Sequence, residues 1–364
     1  MTHEGRLRVV ELMGPAEGGI RTHVAELTTR LPGVDVDPLV AGPPGALGGR
    51  PVDAAVAVPA GLSPAALRRA ARQLARVGPA DLVHAHGLKA GWTAVTSRPR
   101  RPVVLTAHNL VLDEGPRGRL LRLLERELVR RVDHLISPSP AIDRHFEDLL
   151  PPERRSVVVP AFPLPQPGAD RAAVRKELWP ELAADTPLVV VVARLHPQKG
   201  LHTFVDAWAR VTRDLPEARA VVVGEGPSRS ELQAAVDGAG LGDSLRLVGA
   251  RHPATAPMEA ADVVALSSIW EAIPIVVPEA ALLGTPVVTT DVGIVSTVVT
   301  DGSTGSVVGV GDAEGLARGI VALLSDPGAA RRAGERLRAE SLTRFDPDRL
   351  TGEVAEVYRR VVER

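Results

Sequence analysis

Leu188-Val189-Val190-Val191-Val192-Ala193 is an unbroken apolar run, and Arg194-Leu195-His196-Pro197-Gln198-Lys199-Gly200 follows it directly. A short, mostly β-branched run without polar alternation suits a strand buried on both faces. The polar turn closes on a glycine where a helix opens. Strand, turn and helix make half of a parallel crossover unit, and the same order recurs along the chain.

Strand-like runs stand at Leu7–Met13, Asp81–Ala85, Val103–Ala107 and His134–Ser137, and again at Ala220–Val223, Leu245–Val248, Asp262–Ser267 and Pro286–Thr290. Helical patterns separate them. In Pro64–Val77, for example, Leu67, Ala71 and Leu74 recur at helical spacing before Gly78-Pro79 stops the segment. This alternation predicts an α/β protein with parallel sheets covered on both faces. A chain of 364 residues exceeds a usual single domain, so about two are expected. The Pro-rich stretch Pro160-Ala161-Phe162-Pro163-Leu164-Pro165-Gln166-Pro167-Gly168 supplies the linker. The expectation is two doubly wound, Rossmann-like domains.

Composition narrows the chemistry. An apolar content of 45% and a formal net charge of −1 fit an ordinary globular protein. There is no cysteine, which leaves oxygen and nitrogen chemistry only. Four Phe, four Trp and one Tyr give no base-stacking platform, so nucleic acid is not an expected partner. No apolar run approaches the ~20 residues that span a bilayer, and the N-terminus has no room for a signal peptide's apolar core, so a cytoplasmic location is expected.

Residues 1–165 hold 22 Lys+Arg against 17 Asp+Glu, a balance of +5, which leaves 21 against 27, or −6, for the rest. Much of the excess lies in Arg68, Arg69, Arg72 and Arg76, and in Arg117, Arg119, Arg122, Arg126, Arg130 and Arg131. Solvated helix faces and docking on anionic lipid both fit such arginines. Leu120, Leu121, Leu124 and Leu128 form one stripe at helical spacing that the helix needs for its own core, so membrane contact is expected to be peripheral at most.

In open α/β sheets ligands gather at the carboxyl ends of the strands. After the first strand, Gly14-Pro15-Ala16-Glu17-Gly18-Gly19-Ile20 offers adjacent glycines before a helix, suited to an anion or simply to a turn. After Val103–Ala107 comes His108-Asn109, where His108 suits a sugar hydroxyl, a phosphate or a structural cap. His84 and His86 share one strand face, but no acidic partner at ligand spacing accompanies them, so no metal site is expected. Arg194 and Lys199 put two cations at one strand end, matched to a diphosphate whose charge grows as it departs. Gly224-Glu225-Gly226-Pro227-Ser228 and Val248-Gly249-Ala250-Arg251-His252 follow strands and either border a nucleoside or merely turn. Asp35-Val36-Asp37 imitates a metal-nucleotide Asp-x-Asp but sits in an early strand-like segment, so it is read as structural. Finally, Glu271 and Glu279 stand eight positions apart around an apolar stretch that opens a helix, one at a loop tip and one in the first turn, where both can accept from sugar hydroxyls.

Gly18-Gly19, His108, Arg194 with Lys199-Gly200, Gly224-Glu225-Gly226-Pro227, Glu271 to Glu279 in a Glu-x7-Glu motif, and Gly284-Thr285-Pro286-Val287-Val288 occur in this order through nearly the whole chain. Together they resemble the retaining glycosyltransferases of family 4. The resemblance implies the GT-B fold, with two Rossmann-like domains facing across a cleft. It implies an acceptor-binding domain over 1–162, completed by a crossover helix over 346–364, and a nucleotide-sugar-binding domain over 163–345. The implied donor set is Gly18, Gly19, Arg194, Lys199, Gly224, Arg251, Glu271, Ile275, Val276 and Glu279, and the implied catalytic set is His108, Arg194, Lys199 and Glu271. Arg194 and Lys199 would hold the diphosphate, Glu271 the sugar hydroxyls and Glu279 the ribose.

Two departures stand out. Ala272 replaces the Gly that often follows the first Glu, and Gly293-Ile294-Val295-Ser296-Thr297 lacks the Glu of the usual Gly-Gly-x-x-Glu, which bears on donor choice. The expected reaction is metal-independent, retaining transfer of a hexose-type sugar from a UDP- or GDP-sugar to an acceptor hydroxyl on a small molecule, glycan or lipid. No cofactor is expected; the nucleotide sugar is a co-substrate. A catalytically silent donor-binding partner subunit and a GT-B nucleotide-sugar epimerase are the alternatives.

Overall fold

The computed structural model describes residues 6–15, 19–47, 50–61, 63–108, 110–111, 115–162, 164–165, 168–271 and 273–364. Gly18, Asn109 and Ala272 lie outside the described residues. The chain divides into two compact units, Met1–Ala161 with Phe345–Arg364, and Phe162–Arg344.

The first unit contains β1 (Leu7–Met13), α1 (Gly19–Arg30), β2 (Val36–Gly42), β3 (Ala54–Ala55), α2 (Pro64–Ala75), β4 (Leu82–His86), α3 (Leu88–Thr96), β5 (Val103–Thr106), α4 (Gly115–Arg131), β6 (His134–Ser137), α5 (Pro140–His145) and β7 (Arg155–Val157). Its sheet runs β3-β2-β1-β4-β5-β6-β7 with every pair parallel. Strand order reverses between β1 and β4, which makes their carboxyl ends the topological switch point. Arg8 meets Asp37 at 3.4 Å on the paired strands β1 and β2, a structural role for the Asp-x-Asp look-alike.

The expected leucine stripe on α4 is corrected in part. Leu128 is buried, but Leu120 is 56% exposed, and the buried line runs through Gly118, Glu125, Leu128 and Val129. Packing against α3 sets that line. Gly91 leaves room for Leu128, since a Cβ there would stand 2.6 Å from its Cδ2. Helix rotation follows this close approach and not the densest leucine row.

The second unit contains α6 (Arg171–Leu178), β8 (Leu188–Val192), α7 (Leu201–Asp214), β9 (Arg219–Val223), α8 (Arg229–Gly238), β10 (Leu245–Gly249), α9 (Thr255–Ala260), β11 (Val263–Leu266), α10 (Val276–Leu283), β12 (Val287–Thr290), α11 (Val295–Val298), β13 (Gly305–Val308), α12 (Ala313–Ser325) and α13 (Pro327–Arg344). The order β10-β9-β8-β11-β12-β13 is again fully parallel. Its switch point lies between β8 and β11. Trp208 and Phe204 on α7 fill the core against Val189, Val191 and Val222 of the sheet. That burial on both faces accounts for the unbroken valine run of β8.

A last helix, α14 (Pro347–Val362), returns to the first unit. Asp346 caps it by accepting from the Asp348 N–H at 3.0 Å, and Pro347 occupies its first turn. Leu350, Val354, Val357, Tyr358 and Val361 pack into one cluster with Val9, Leu27, Leu82 and Val104. Among the described residues no helix is long and apolar enough to cross a membrane.

Candidate active site

The β8–β11 adjacency brings together two loops separated by about seventy residues in sequence. Ile269 N–H donates to the Gln198 carbonyl at 2.8 Å, and the Gln198 side-chain amide to the Trp270 carbonyl at 2.8 Å. Ser267 Oγ donates to the Lys199 carbonyl at 3.0 Å, and Thr290 Oγ1 to the Ser268 carbonyl at 2.7 Å. These bonds fix Lys199 and Glu271 in contact. Lys199 Nζ pairs with Glu271 Oε1, which also accepts from Ser268 Oγ at 2.9 Å.

This corrects the picture of Glu271 as a loop-tip carboxylate, because it is only 8% exposed. The serine pair that precedes it explains the difference: Ser268 supplies a hydroxyl that a buried carboxylate requires. Arg194 follows β8 and stays exposed. Ile275 and Val276 open α10, where Val277 N–H donates to the Pro274 carbonyl at 2.9 Å, Pro278 has no N–H, and Glu279 N–H donates to the Ile275 carbonyl at 3.1 Å. Glu279 sits in that turn, and burial pushes its carboxyl up from the ordinary value.

Gly224 and Arg251 have other employment as well. Gly224 N–H donates to the Gly249 carbonyl at 3.0 Å, while Leu195 N–H reaches the Glu225 carbonyl at 3.0 Å. A Cβ on Gly224, whose φ is +149°, would stand 1.8 Å from the Ala193 carbonyl oxygen. The glycine therefore lets the β9 turn lie flat against the chain that carries Arg194. Arg251 Nε pairs with Glu177 at 3.2 Å.

In the first unit, strand register overturns the reading that the histidines lack an acidic partner. Glu11 on β1 stands opposite His84 on β4. Its Oε2 lies 2.8 Å from His86 Nε2 and 3.0 Å from His84 Nδ1, and its Oε1 accepts from Tyr358 Oη at 2.6 Å. His84 also meets Tyr358 Oη at 2.6 Å and Thr106 Oγ1 at 2.7 Å. His86 Nδ1 is 3.1 Å from His108 Nε2, and His23 packs edge-on against both rings. Glu11, His84 and His86 form a triad of metal-ligating type. The two distances from Glu11 to the imidazoles are those of hydrogen bonds, however, shorter than the about 3.3 Å between ligands on a tetrahedral zinc ion.

Sequence reading missed Glu11, Tyr358, His23 and Ser268. One signal was present: an acidic residue inside an apolar parallel strand is buried, and a buried carboxylate needs partners.

Residues 17–162 match the family model for Glycosyltransferase Family 4, and residues 175–340 match that for Glycosyl transferases group 1. Over 88% of its length the chain is 34% identical to the D-inositol 3-phosphate glycosyltransferase of Nocardia farcinica, of which it covers 74%. The chain belongs to glycosyltransferase family 4. It is also 28% identical to the glycogen synthase of Mycobacterium tuberculosis, over 76% of this chain and 68% of that enzyme. Among solved structures, Anabaena HepE in complex with UDP aligns with a TM-score of 0.80 at 23% identity, covering 96% of this chain and 99% of HepE. The fold is GT-B.

In this family 4 glycosyltransferase the Gly224 contact gives a direct test of loop placement. Gly224→Ala is expected to cost about 2–4 kcal/mol and to displace Arg194. Gly242→Ala, where a Cβ meets nothing within 4 Å, serves as the control. Equal unfolding midpoints in urea for the two variants would refute the packing role.

Proposed function

We propose that this glycosyltransferase moves a sugar from a UDP- or GDP-sugar to an acceptor hydroxyl, with retention at the anomeric carbon and without a divalent metal. The observation that carries this is the Lys199–Glu271 pair at the carboxyl ends of β8 and β11, with Lys199 on the same post-β8 segment that carries Arg194. Arg194 and Lys199 stabilise the departing diphosphate as preorganised cations. Glu271 accepts from sugar hydroxyls and Glu279 from the ribose. Within the first unit, His108 at the carboxyl end of β5 is the side chain assigned to substrate. HepE, which shares the fold, has been captured with UDP and with UDP-glucose, and this supports a nucleotide-sugar donor.

Glu271 is committed to Lys199 and Ser268, which suits a binding carboxylate better than a nucleophile. The favoured step therefore runs on one face. The bond from the anomeric carbon to the phosphate oxygen breaks, the acceptor oxygen bonds to that carbon, and the acceptor's proton passes to the leaving phosphate.

Incubation with a panel of UDP- and GDP-sugars and hydroxyl acceptors in EDTA tests the proposal. A product with the donor's anomeric configuration is expected. An inverted product, or strict dependence on added Mg²⁺ or Mn²⁺, would reject it. In calorimetry, Glu279→Gln should weaken binding of bare UDP or GDP, while Glu271→Gln should weaken the nucleotide sugar more than the bare nucleotide. The opposite pattern exchanges the two roles.

A further inference from the structure

The buried cluster of the first unit has a proton order fixed by its geometry. Burial alone would raise the Glu11 carboxyl, but the imidazoles of His84 and His86 and the bonds they make to it hold it below the ordinary carboxylate range. An ionised carboxylate only accepts, so His86 Nε2, at 2.8 Å, carries a proton. Burial, followed by repulsion from His84, lowers His86 to about 4. Neutral His86 has no second proton, and its Nδ1 is a bare acceptor. His108 Nε2 meets that atom at 3.1 Å and can do so only as a donor. Burial, with His86 and His23 nearby, keeps His108 well below the ordinary histidine value, so it too has one proton, already placed on Nε2.

We propose that Glu11 and His86 are positioning residues that lock His108 in the Nε2-protonated tautomer, so that it meets substrate as a hydrogen-bond acceptor through Nδ1. A bare ring nitrogen attracts a hydroxyl proton and repels a phosphate oxygen. The partner of His108 is therefore a hydroxyl of the sugar or of the acceptor, and not the diphosphate. This last step rests on the proposed function; the tautomer does not.

Every element around the chain of rings contributes. Glu11 comes from β1, His23 from α1, His84 and His86 from β4, Thr106 from β5 and Tyr358 from α14. His23 is pushed down to about 3, first by burial and then by His86, so it adds no cation at neutral pH. Tyr358 is held well above its ordinary value by burial and by Glu11, so its hydroxyl keeps its proton and donates it to Oε1.

Imidazole ¹⁵N NMR at pH 7 on the full chain reads the tautomer without any substrate. Wild type should show His108 protonated on Nε2. Glu11→Gln replaces an obligate acceptor by an amide that can also donate, so the His108 tautomer should mix or invert and kcat/KM should fall at least tenfold. Glu11→Asp should restore the tautomer. Tyr358→Phe, which removes a partner of Glu11 but not its charge, should leave the tautomer as it is. A wild-type His108 protonated on Nδ1 overturns the proposal, and that measurement stands even if Glu11→Gln fails to fold. An inverted tautomer with unchanged kcat/KM overturns the positioning role. If wild type transfers sugar from no donor, the proposed function falls while the spectrum still decides the relay.

Discussion

Replacing Lys199 by alanine is expected to slow sugar transfer by at least about a hundredfold, the scale on which one preorganised charged contact to a developing anion is lost. The geometry adds a second effect. Lys199 is the cation that pairs with Glu271, whose side chain is nearly buried, so its removal leaves a carboxylate that keeps, among the described residues, its bond from Ser268. A buried group that loses a charged partner costs about 1–3 kcal/mol, and the 23% exposure of the Lys199 side chain puts the loss at the lower end. Arg194 separates the two effects. It is exposed, so Arg194→Ala should leave the unfolding midpoint nearly unchanged and still slow turnover by a comparable factor. Turnover within threefold of wild type in both variants, assayed well below their melting points, would remove the diphosphate role from these cations.

Lowering the pH from 7 to 5 is expected to destabilise the first unit selectively. His86 is lowered to about 4 and His23 to about 3, each first by burial, so both stay neutral when folded and titrate near 6.5 when unfolded. Depressed values of this kind contribute stability that is complete above about pH 6.5 and is lost as the pH falls towards the folded values. At 1.36 kcal/mol per unit, each histidine forfeits about 2 kcal/mol by pH 5. Glu11, held below its ordinary range, adds a further loss only below about pH 4.5. Hydrogen exchange reports the two units separately and should show protection falling across the β1–β4–β5 core while the β8–β11 core changes less. Equal and flat protection in both units from pH 7 to 5 would refute it.

Much of this was legible in the residues. Apolar runs marked nine strands because parallel strands buried on both faces have no polar alternation to disguise them. The strands left unread, β3, β7 and β13, lie at sheet edges, where strands of two to four residues carry little signal. β2 showed only as a strand-like stretch around Asp35–Asp37, since Pro38 interrupts it. The site divided in the same way. Arg194, Lys199, Glu271 and Glu279 were found as residues, but the contact of Lys199 with Glu271 depends on β8 lying beside β11, which local sequence does not encode. Glu11 illustrates the limit. Its partners His84 and His86 lie more than seventy positions on, and Tyr358 is the chain's single tyrosine, on a helix that returns from beyond the second unit.

That returning helix constrains the order in which the chain can be completed during synthesis. Phe162–Arg344 is continuous and can close its core as soon as it has emerged. The first unit, although made earlier, lacks Leu350, Val354, Tyr358 and Val361 until α14 has been translated, and Glu11 lacks its tyrosine for as long. At 5–20 residues per second the wait across the second unit is roughly ten to forty seconds. For that interval the nascent first unit exposes apolar surface on β1, β4 and α1, which makes it the part of the molecule most in need of a chaperone.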